Sequence, residues 1–195
     1  IRENHMKFTY SIPTKILFGP GSFNDLATTP LPGKKALVVI TAGKSMRANG
    51  YLDRLIDTLD KQGIGHALFD KILPNPVLRH VHAAQQRNHQ RQQTDQQGTL
   101  YSTIESGGSS IDSAKSIAVM AKNPGDYWDY ISGGSGKGQP LVNGALPIVA
   151  IATTAGTGTE ADPWTVITKE DTNEKIGFGC AETFPVLSVV DPEMM

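Results

Sequence analysis

Three glycine-rich turns carry most of the residues in this sequence that can hold a phosphate or a ribose. They are TAGKS at 41–45, ESGGSSIDSAK at 105–115 and PIVAIATTAGTGTEAD at 147–162. Glycine lets the backbone approach a ligand closely, and hydroxyl, ammonium and unpaired N–H groups are donors that bind phosphate. These turns therefore predict a binding site for an anionic nucleotide.

The first turn is not the phosphate loop of an ATPase. That motif needs a glycine five residues before Gly43, and Val38 stands there. In a doubly wound sheet, a turn after the first strand meets the adenosine end of a dinucleotide. With Thr41, Gly43, Lys44 and Ser45 and no acidic residue, this turn accommodates a 2′-phosphate and favours NADP over NAD. The alternative is an ordinary strand-to-helix turn with a solvated lysine.

The second turn is suited to a pyrophosphate. Gly107 and Gly108 precede a helix that is predicted to begin near Ser110, and a helix N-terminus offers unpaired N–H groups and a positive dipole end. Asp112 in the first helical turn is also explained as a partner of that dipole. Lys115 can be the i+3 ion-pair partner of Asp112 and nothing more.

The third turn is rich in hydroxyl groups. Thr153 and Thr154 follow a buried strand, and Thr157 and Thr159 lie among glycines. These hydroxyls and the backbone amides can hold ribose, phosphate or the nicotinamide amide. A surface turn of the same composition is the alternative.

The elements that must position these turns follow from hydrophobic periodicity. The predicted strands are Ala36–Thr41, Ile64–Phe69, Leu100–Ile104, Ile148–Ala152, Thr165–Thr168 and Val186–Val190. Two apolar stripes at helical spacing predict amphipathic helices, namely Leu52, Leu55, Ile56 and Leu59, and Ile111, Ala114, Ile117, Ala118 and Ala121. Strands spaced by helices predict an α/β fold with a doubly wound, mostly parallel, Rossmann-like sheet. The three turns are then expected to converge on one side of it.

Composition narrows the class of protein. The 195 residues suit one domain, and a formal net charge of −1 gives no reason to expect nucleic acid or a membrane as partner. The single cysteine, Cys180, cannot form an internal disulfide, and neither a secretory signal nor a membrane span is recognised. These features predict a cytoplasmic protein. Residues 1–6, IRENHM, resemble a cloning remnant, so the domain is taken as 7–195.

One polar segment interrupts the alternation. Residues 82–99 contain nothing more apolar than alanine, and seven glutamines lie within 85–97. Such a segment predicts a solvated helix or a disordered loop. His80, His82 and His89 lie close together here, but no carboxylate or cysteine stands at ligand spacing beside them, so incidental histidines are favoured over a metal site.

Six motifs together resemble the iron-containing, or group III, alcohol dehydrogenases, a family of butanol and propanediol dehydrogenases and lactaldehyde reductases. The motifs are FGPGS (18–22), NP (75–76), GGSSIDSAK (107–115), GDYWDY (125–130), TTAGTGTEAD (153–162) and VVDPE (189–193). The resemblance implies an N-terminal dinucleotide-binding domain and a C-terminal all-helical domain. It also implies a divalent metal, iron or zinc, that polarises the alcohol oxygen while hydride passes to the nicotinamide.

The resemblance also implies a set of cofactor-binding residues. They are Thr41, Gly43, Lys44, Ser45, Asn75, Gly107, Gly108, Ser109, Asp112, Thr153, Thr154, Thr157 and Lys175. The cofactor is expected to be NADP or NAD, the substrate of the full-length enzyme a small alcohol or aldehyde, and the assembly a homodimer.

Three departures from the family pattern qualify this expectation. The family's metal ligands, one aspartate and three histidines, follow the VDPE motif, whereas this sequence ends at Met195 and has no histidine after His89. Glu105 and Ser106 stand where an apolar strand usually runs into glycine, so the pyrophosphate loop can be displaced. Residues 82–104 do not resemble the family, which indicates a local frame slip, a mistaken sequence or an inserted loop.

These observations predict the cofactor-binding part of an NADP-preferring alcohol dehydrogenase, without a metal site and inactive towards alcohols on its own. The alternative from another class is a non-catalytic nucleotide-binding or self-associating module, because the face that the helical domain covers is apolar. A relative of glycerol dehydrogenase or dehydroquinate synthase is the second alternative.

Overall fold

The structure is a computed structural model that describes residue 9 and residues 11–92, 99–105 and 108–195, with only the backbone of 87–92 and 99–105. Its strands are β1 (Lys15–Phe18), β2 (Lys35–Thr41), β3 (Gly65–Ile72), β4 (Thr99–Glu105), β5 (Ile148–Ala152), β6 (Thr165–Lys169), β7 (Glu174–Phe178) and β8 (Leu187–Val190). Its α-helices are α1 (Ser45–Ala48), α2 (Tyr51–Lys61), α3 (Leu78–Gln92) and α4 (Gly108–Met120). Short 3₁₀ helices span Ser22–Ala27, Tyr127–Tyr130, Ala181–Thr183 and Pro192–Met194.

The main sheet has six strands in the order β1-β8-β5-β4-β2-β3, and every neighbouring pair in it is parallel. The predicted doubly wound parallel α/β fold is therefore confirmed. Starting from β2, the chain winds outward through α2 to β3. It then returns to the other side of β2 and continues through β4, α4 and β5.

Both faces of the sheet are covered, because side chains alternate along each strand. On β2, Val38 and Ile40 belong to a core cluster with the apolar side of α2, whereas Leu37 and Val39 belong to the cluster that contains α3 and α4. The α2 stripe of Leu52, Leu55 and Leu59 is buried as predicted, with Ile56 at its margin.

Helix α4 differs from the amphipathic helix that the sequence predicts. Its polar side chains Ser113, Lys115 and Ser116 are as deeply buried as its apolar ones. The reason is that β6 covers the outer side of the helix, where the hydroxyls of Ser116 and Thr165 lie 2.8 Å apart. The helix therefore packs on all sides, and its polar groups must find partners within the protein.

The strand predicted at Thr165–Thr168 exists but is not part of the main sheet. As β6 it pairs antiparallel with β7, a strand that the sequence analysis did not identify, in a separate two-stranded sheet. The edge strand β1 was also not predicted. In the polar segment, α3 extends to Gln92, in agreement with a helix there, and residues 93–98 lie outside the described part of the chain.

None of the described helices combines the length and apolar composition that crossing a bilayer requires.

Candidate functional site

The predicted turns meet at the carboxyl-terminal ends of neighbouring strands in the main sheet. Strands β2, β4 and β5 are neighbours and parallel, so the turns that follow their carboxyl ends lie side by side. From β2 the chain leaves towards β3, and from β4 it leaves in the opposite direction towards β5. Such a reversal opens a crevice between the two strands, which is where open α/β sheets bind ligands. The predicted convergence of the three turns is confirmed.

The turn after β2 lines one side of this crevice. Thr41 ends the strand as a buried residue, and Gly43, Lys44 and Ser45 are exposed. A Cβ built on Gly43 finds only the Thr41 hydroxyl within 4 Å, at 3.6 Å, so this glycine is not tightly packed. The turn therefore presents an ammonium and a hydroxyl group to solvent beside the carboxyl end of β2.

Asn75 and Lys175, which are both predicted site residues, contact each other. Asn75 lies in the loop after β3 with a left-handed φ of 58°, and its Oδ1 accepts a hydrogen bond from Lys175 Nζ at 3.0 Å. The bond joins the loop after β3 to strand β7, and the loop is also fixed by the N–H of Thr168, which donates to the carbonyl of Pro76 at 2.8 Å. The β6–β7 sheet is thereby attached beside the carboxyl end of β3.

The second and third turns touch at Gly108. A Cβ built there would lie 3.1 Å from Thr157 Cγ2 and 3.3 Å from Thr157 Oγ1, which is closer than ordinary contact. Gly108 begins α4, so this glycine brings the helix N-terminus against the threonine turn. Ser109 lies next to it, half-buried, whereas Gly107 falls outside the described residues.

The threonine turn holds one buried hydroxyl group without a protein partner. Thr153 is 7% exposed, and its Oγ1 has no hydrogen-bond partner in the described part of the chain. Thr154 and Thr157 are exposed, and between Thr157 and the strand, Gly156 has a positive φ of 145°. Buried hydroxyls are normally satisfied, so Thr153 indicates a polar group that the protein itself does not supply.

Asp112 is bonded to the segment that follows the threonine turn. Its Oδ1 accepts from the Thr159 hydroxyl at 2.8 Å, and its Oδ2 accepts from the Val166 N–H at 3.0 Å. Burial raises the pKa of this carboxyl, and these two hydrogen bonds oppose the increase. Both oxygens thus bond within the chain, and a direct contact between Asp112 and a cofactor stays a prediction.

Lys115 has a different partner from the one considered in the sequence. Its ammonium group forms an ion pair with Asp162, at 3.1 Å, and not with Asp112. Its side chain is fully buried, and burial lowers its pKa while the Asp162 carboxylate opposes the decrease. Sequence reasoning missed this arrangement because the partners lie 44 to 49 residues away and no local spacing indicates them.

The described histidines do not form a metal centre. His80 is buried, and burial lowers its pKa, while His82 Nε2 lies 2.9 Å from an oxygen of Asp126. The side chain of His89 is outside the described atoms. Among the residues that the structure describes, no three His, Cys, Asp or Glu side chains are grouped to hold a metal ion. The described residues thus do not fit the metal that the resemblance implies.

Two of the quoted motifs are joined by one buried carboxylate. Asp191 of VVDPE is 1% exposed and accepts hydrogen bonds from the N–H groups of Gly21 (3.1 Å), Phe23 (3.0 Å) and Glu193 (3.0 Å). Gly21 belongs to FGPGS, so the carboxylate fixes the turn after β1 to the end of β8. This motif residue supports the fold and follows β8, which β5 separates from β4 in the sheet.

The strand order and its reversal between β4 and β2 define the class: a doubly wound α/β protein with glycine-rich turns at the carboxyl ends of β2, β4 and β5. The family model of the iron-containing alcohol dehydrogenases matches residues 13–95 and 106–192. The chain belongs to this family. The unmatched stretch, 96–105, is shorter than the 82–104 in which no resemblance was recognised, so the family pattern extends into α3.

Individual relatives agree with the family match. The chain is 35% identical over 185 residues to the probable NADH-dependent butanol dehydrogenase 1 of Bacillus subtilis, covering 95% of this chain and 45% of the relative. It is 31% identical to the 1,3-propanediol dehydrogenase of Klebsiella pneumoniae, covering 98% of this chain and 47% of the relative. The crystal structure of NADH-dependent butanol dehydrogenase A from Thermotoga maritima superposes with a TM-score of 0.84 at 33% identity, over 96% of this chain and 45% of that one. The chain thus spans about half the length of its relatives.

Proposed function

We propose that this chain binds a nicotinamide dinucleotide as the cofactor-binding part of an alcohol dehydrogenase. The observation that carries the proposal is the meeting of three glycine-rich turns at the carboxyl-terminal ends of neighbouring strands, with Gly108 so close to Thr157 that a Cβ there would be in tight contact. A glycine at a helix N-terminus suits a pyrophosphate, because the unpaired N–H groups of the helix can approach the phosphate oxygens.

The described residues fit the cofactor at several points. The backbone around Gly108 and Ser109 would hold the pyrophosphate at the start of α4, and the unpartnered Thr153 hydroxyl would bond to the ribose or to the nicotinamide amide. Thr154 and Thr157 would offer further hydroxyl groups. Asn75 and Lys175, as a bonded pair, would line the neighbouring side of the site.

NADP is the preferred cofactor in this proposal. The turn at the adenosine end contains Gly43, Lys44 and Ser45, which are all exposed, and Lys44 carries an ammonium group. A 2′-phosphate bears a negative charge that Lys44 would attract, whereas an acidic residue in this turn would repel it. The names of several relatives state NADH dependence, so the preference separates this chain from those proteins.

The reaction of the whole protein would be hydride transfer between a small alcohol and the nicotinamide ring. The relatives include butanol and propanediol dehydrogenases, which supports short alcohols or aldehydes as substrates. In this reaction the nicotinamide accepts or donates the hydride, and this chain binds and orients the dinucleotide. A cytoplasmic location and a homodimer also belong to this proposal.

A titration of the 195-residue protein with NADPH and NADH tests the proposal. We expect nicotinamide fluorescence to rise on binding of either cofactor, with NADPH binding about 10-fold more tightly, which corresponds to ~1.4 kcal/mol. Lys34 lies before β2, at the amino-terminal end of the strand, and is the matched control for Lys44. The variant Lys34→Ala should leave the affinities for NADPH and NADH unchanged. Absence of binding together with concentration-dependent assembly in sedimentation would reject the proposal and favour a self-associating module.

A further inference from the structure

We propose that Lys115 is a positioning residue of the dinucleotide site, and that its ammonium group is the cation around which the segment Thr159–Trp164 folds. This inference rests on the proposed function, because Lys115 would act by fixing the shape of the threonine turn that would contact the cofactor. Lys115 itself is fully buried and lies behind that turn.

Five oxygen atoms surround the Lys115 ammonium group. Nζ lies 2.8 Å from the carbonyl oxygen and 2.8 Å from the hydroxyl oxygen of Thr159. It lies 2.8 Å from the carbonyl and 3.1 Å from Oδ1 of Asp162, and 2.8 Å from the carbonyl of Trp164. An ammonium group has three protons, so these oxygens form a shell that shares them. Burying a cation is costly without such a shell.

Asp112 reinforces this shell from the same helix. The Thr159 hydroxyl accepts from Lys115 and donates to Asp112 Oδ1, so one side chain links both charged residues. The hydroxyl of Thr165 donates to the carbonyl of Asp112 at 2.7 Å, and the N–H of Val166 donates to its carboxylate. One face of α4 therefore holds the chain from Thr159 to the start of β6.

The threonine turn depends on this attachment. On its first side the turn is fixed by β5, and on its second side by the Lys115 shell. Between them, Gly156 and Gly158 have positive φ values, and a Cβ built on either would meet nothing within 4 Å. Between its two anchors the turn contacts α4 through Thr157, beside Gly108, and loss of the ammonium group would loosen its second side.

The variant Lys115→Ala tests this role by chemical rescue. Alanine removes the three terminal carbons and the ammonium group, which n-propylammonium replaces, whereas tetramethylammonium has no N–H donor. We expect hydrogen exchange in 159–164 to rise in the variant and NADPH affinity to fall by about 10-fold or more. Propylammonium should restore both, and tetramethylammonium at equal ionic strength should restore neither.

Two further variants separate positioning from stability. Val119→Ala also removes buried atoms from α4 but lies in the apolar core, so it should lower Tm and leave the exchange of 159–164 and the NADPH affinity unchanged. Lys115→Met keeps the bulk of the side chain without the charge. It should behave like Lys115→Ala without rescue, because no space is left for the added ion.

The results for the Lys115 variants support or overturn the positioning role of this residue. If Lys115→Ala folds only with propylammonium, the proposal is supported, because the ion then replaces the missing cation. The proposal is overturned if Lys115→Ala keeps wild-type exchange and affinity, or if both Lys115 variants are unfolded with and without the ion. If the wild-type protein binds no dinucleotide, the proposed function fails, and the exchange data alone still decide whether Lys115 holds the segment.

Discussion

Replacing Asp191 by asparagine tests how strongly one carboxylate joins the turn after β1 to the end of β8. Asparagine has the same shape but only one acceptor oxygen, whereas Asp191 accepts hydrogen bonds from three N–H groups. In the better orientation, the amide oxygen keeps Gly21 and Glu193, and the N–H of Phe23 faces an NH₂ group. That N–H is buried and left unsatisfied, at a cost of about 1–3 kcal/mol.

The two remaining hydrogen bonds also weaken, because bonds to an ionised acceptor are roughly twice as strong as neutral ones. The expected loss in the free energy of unfolding for Asp191→Asn is therefore about 2–4 kcal/mol at pH 7. Asp191→Ala leaves all three N–H groups without an acceptor and should lose at least about 1 kcal/mol more. Urea unfolding followed by circular dichroism measures both values.

The pH dependence has a defined sign. Burial raises the pKa of Asp191, but the hydrogen bonds from Phe23, Glu193 and Gly21 outweigh it, so the net pKa is lowered. A lowered pKa in the folded state means that the carboxylate stabilises the protein above the unfolded pKa of about 3.9. This contribution is lost as the pH falls through the folded-state pKa. The difference between wild type and Asp191→Asn should therefore shrink below about pH 4.

Asp25→Asn is the matched control, since Asp25 lies in the 3₁₀ helix Ser22–Ala27, which also contains Phe23, but is exposed. The control should change stability by less than about 0.5 kcal/mol. A loss of that small size for Asp191→Asn at pH 7, or a difference that stays constant down to pH 3, would refute the reasoning.

Three further substitutions probe the site and its surroundings. Gly108→Ala places a methyl group 3.1 Å from Thr157 Cγ2, so it should weaken NADPH binding about 10-fold in fluorescence titrations. The added change Thr157→Ser should restore part of the affinity, because it removes Cγ2, the nearest of the contacting atoms. Lys44→Ala should lower the ratio of NADPH to NADH affinity about 10-fold in the same titrations, because it removes the charge opposite the 2′-phosphate. Gly136→Ala should destabilise the protein by about 1–3 kcal/mol in urea unfolding, because its methyl group would overlap the Ile131 carbonyl.

Each of these has a control or a contradicting result. For Gly136→Ala the control is Gly177→Ala, whose Cβ would find its nearest neighbour at 3.9 Å and should be tolerated. If the double variant at Gly108 and Thr157 binds no better than Gly108→Ala alone, steric contact does not explain the loss. Equal losses of NADPH and NADH affinity in Lys44→Ala would contradict a role in phosphate recognition.

The sequence predicted six of the eight described strands, including the edge strand β3, and missed β1 and β7. Central strands such as Ile148–Ala152 are continuous apolar runs, because both of their faces are buried. Strand β1 is exposed on one side, and β7 alternates half-buried and exposed residues, so neither has an apolar signal of comparable strength. The pattern at Thr165–Thr168 indicated a strand but did not indicate its partner. That partner is β7, and the two strands form a separate sheet.

Local sequence also gave the positions of the site turns but not the network behind them. Glycines and hydroxyl residues next to strand ends can be recognised from spacing alone, because turn chemistry is local. The environment of Lys115 depends on oxygens of Thr159, Asp162 and Trp164, most of them backbone carbonyls that any residue type would supply. Because backbone carbonyls do not depend on residue type, the sequence alone does not predict that a lysine in α4 is buried.

The pairing of β1 with β8 has a consequence for synthesis on the ribosome. The two strands belong to opposite ends of the described chain, and 170 residues separate Gly21 from its partner Asp191. At about 5–20 residues per second, roughly 10–30 seconds pass between the synthesis of β1 and that of β8, its neighbour among the described strands. During that time the backbone N–H and C=O groups that β1 pairs with β8 lack a partner, so chaperone binding is expected to concentrate on this first strand.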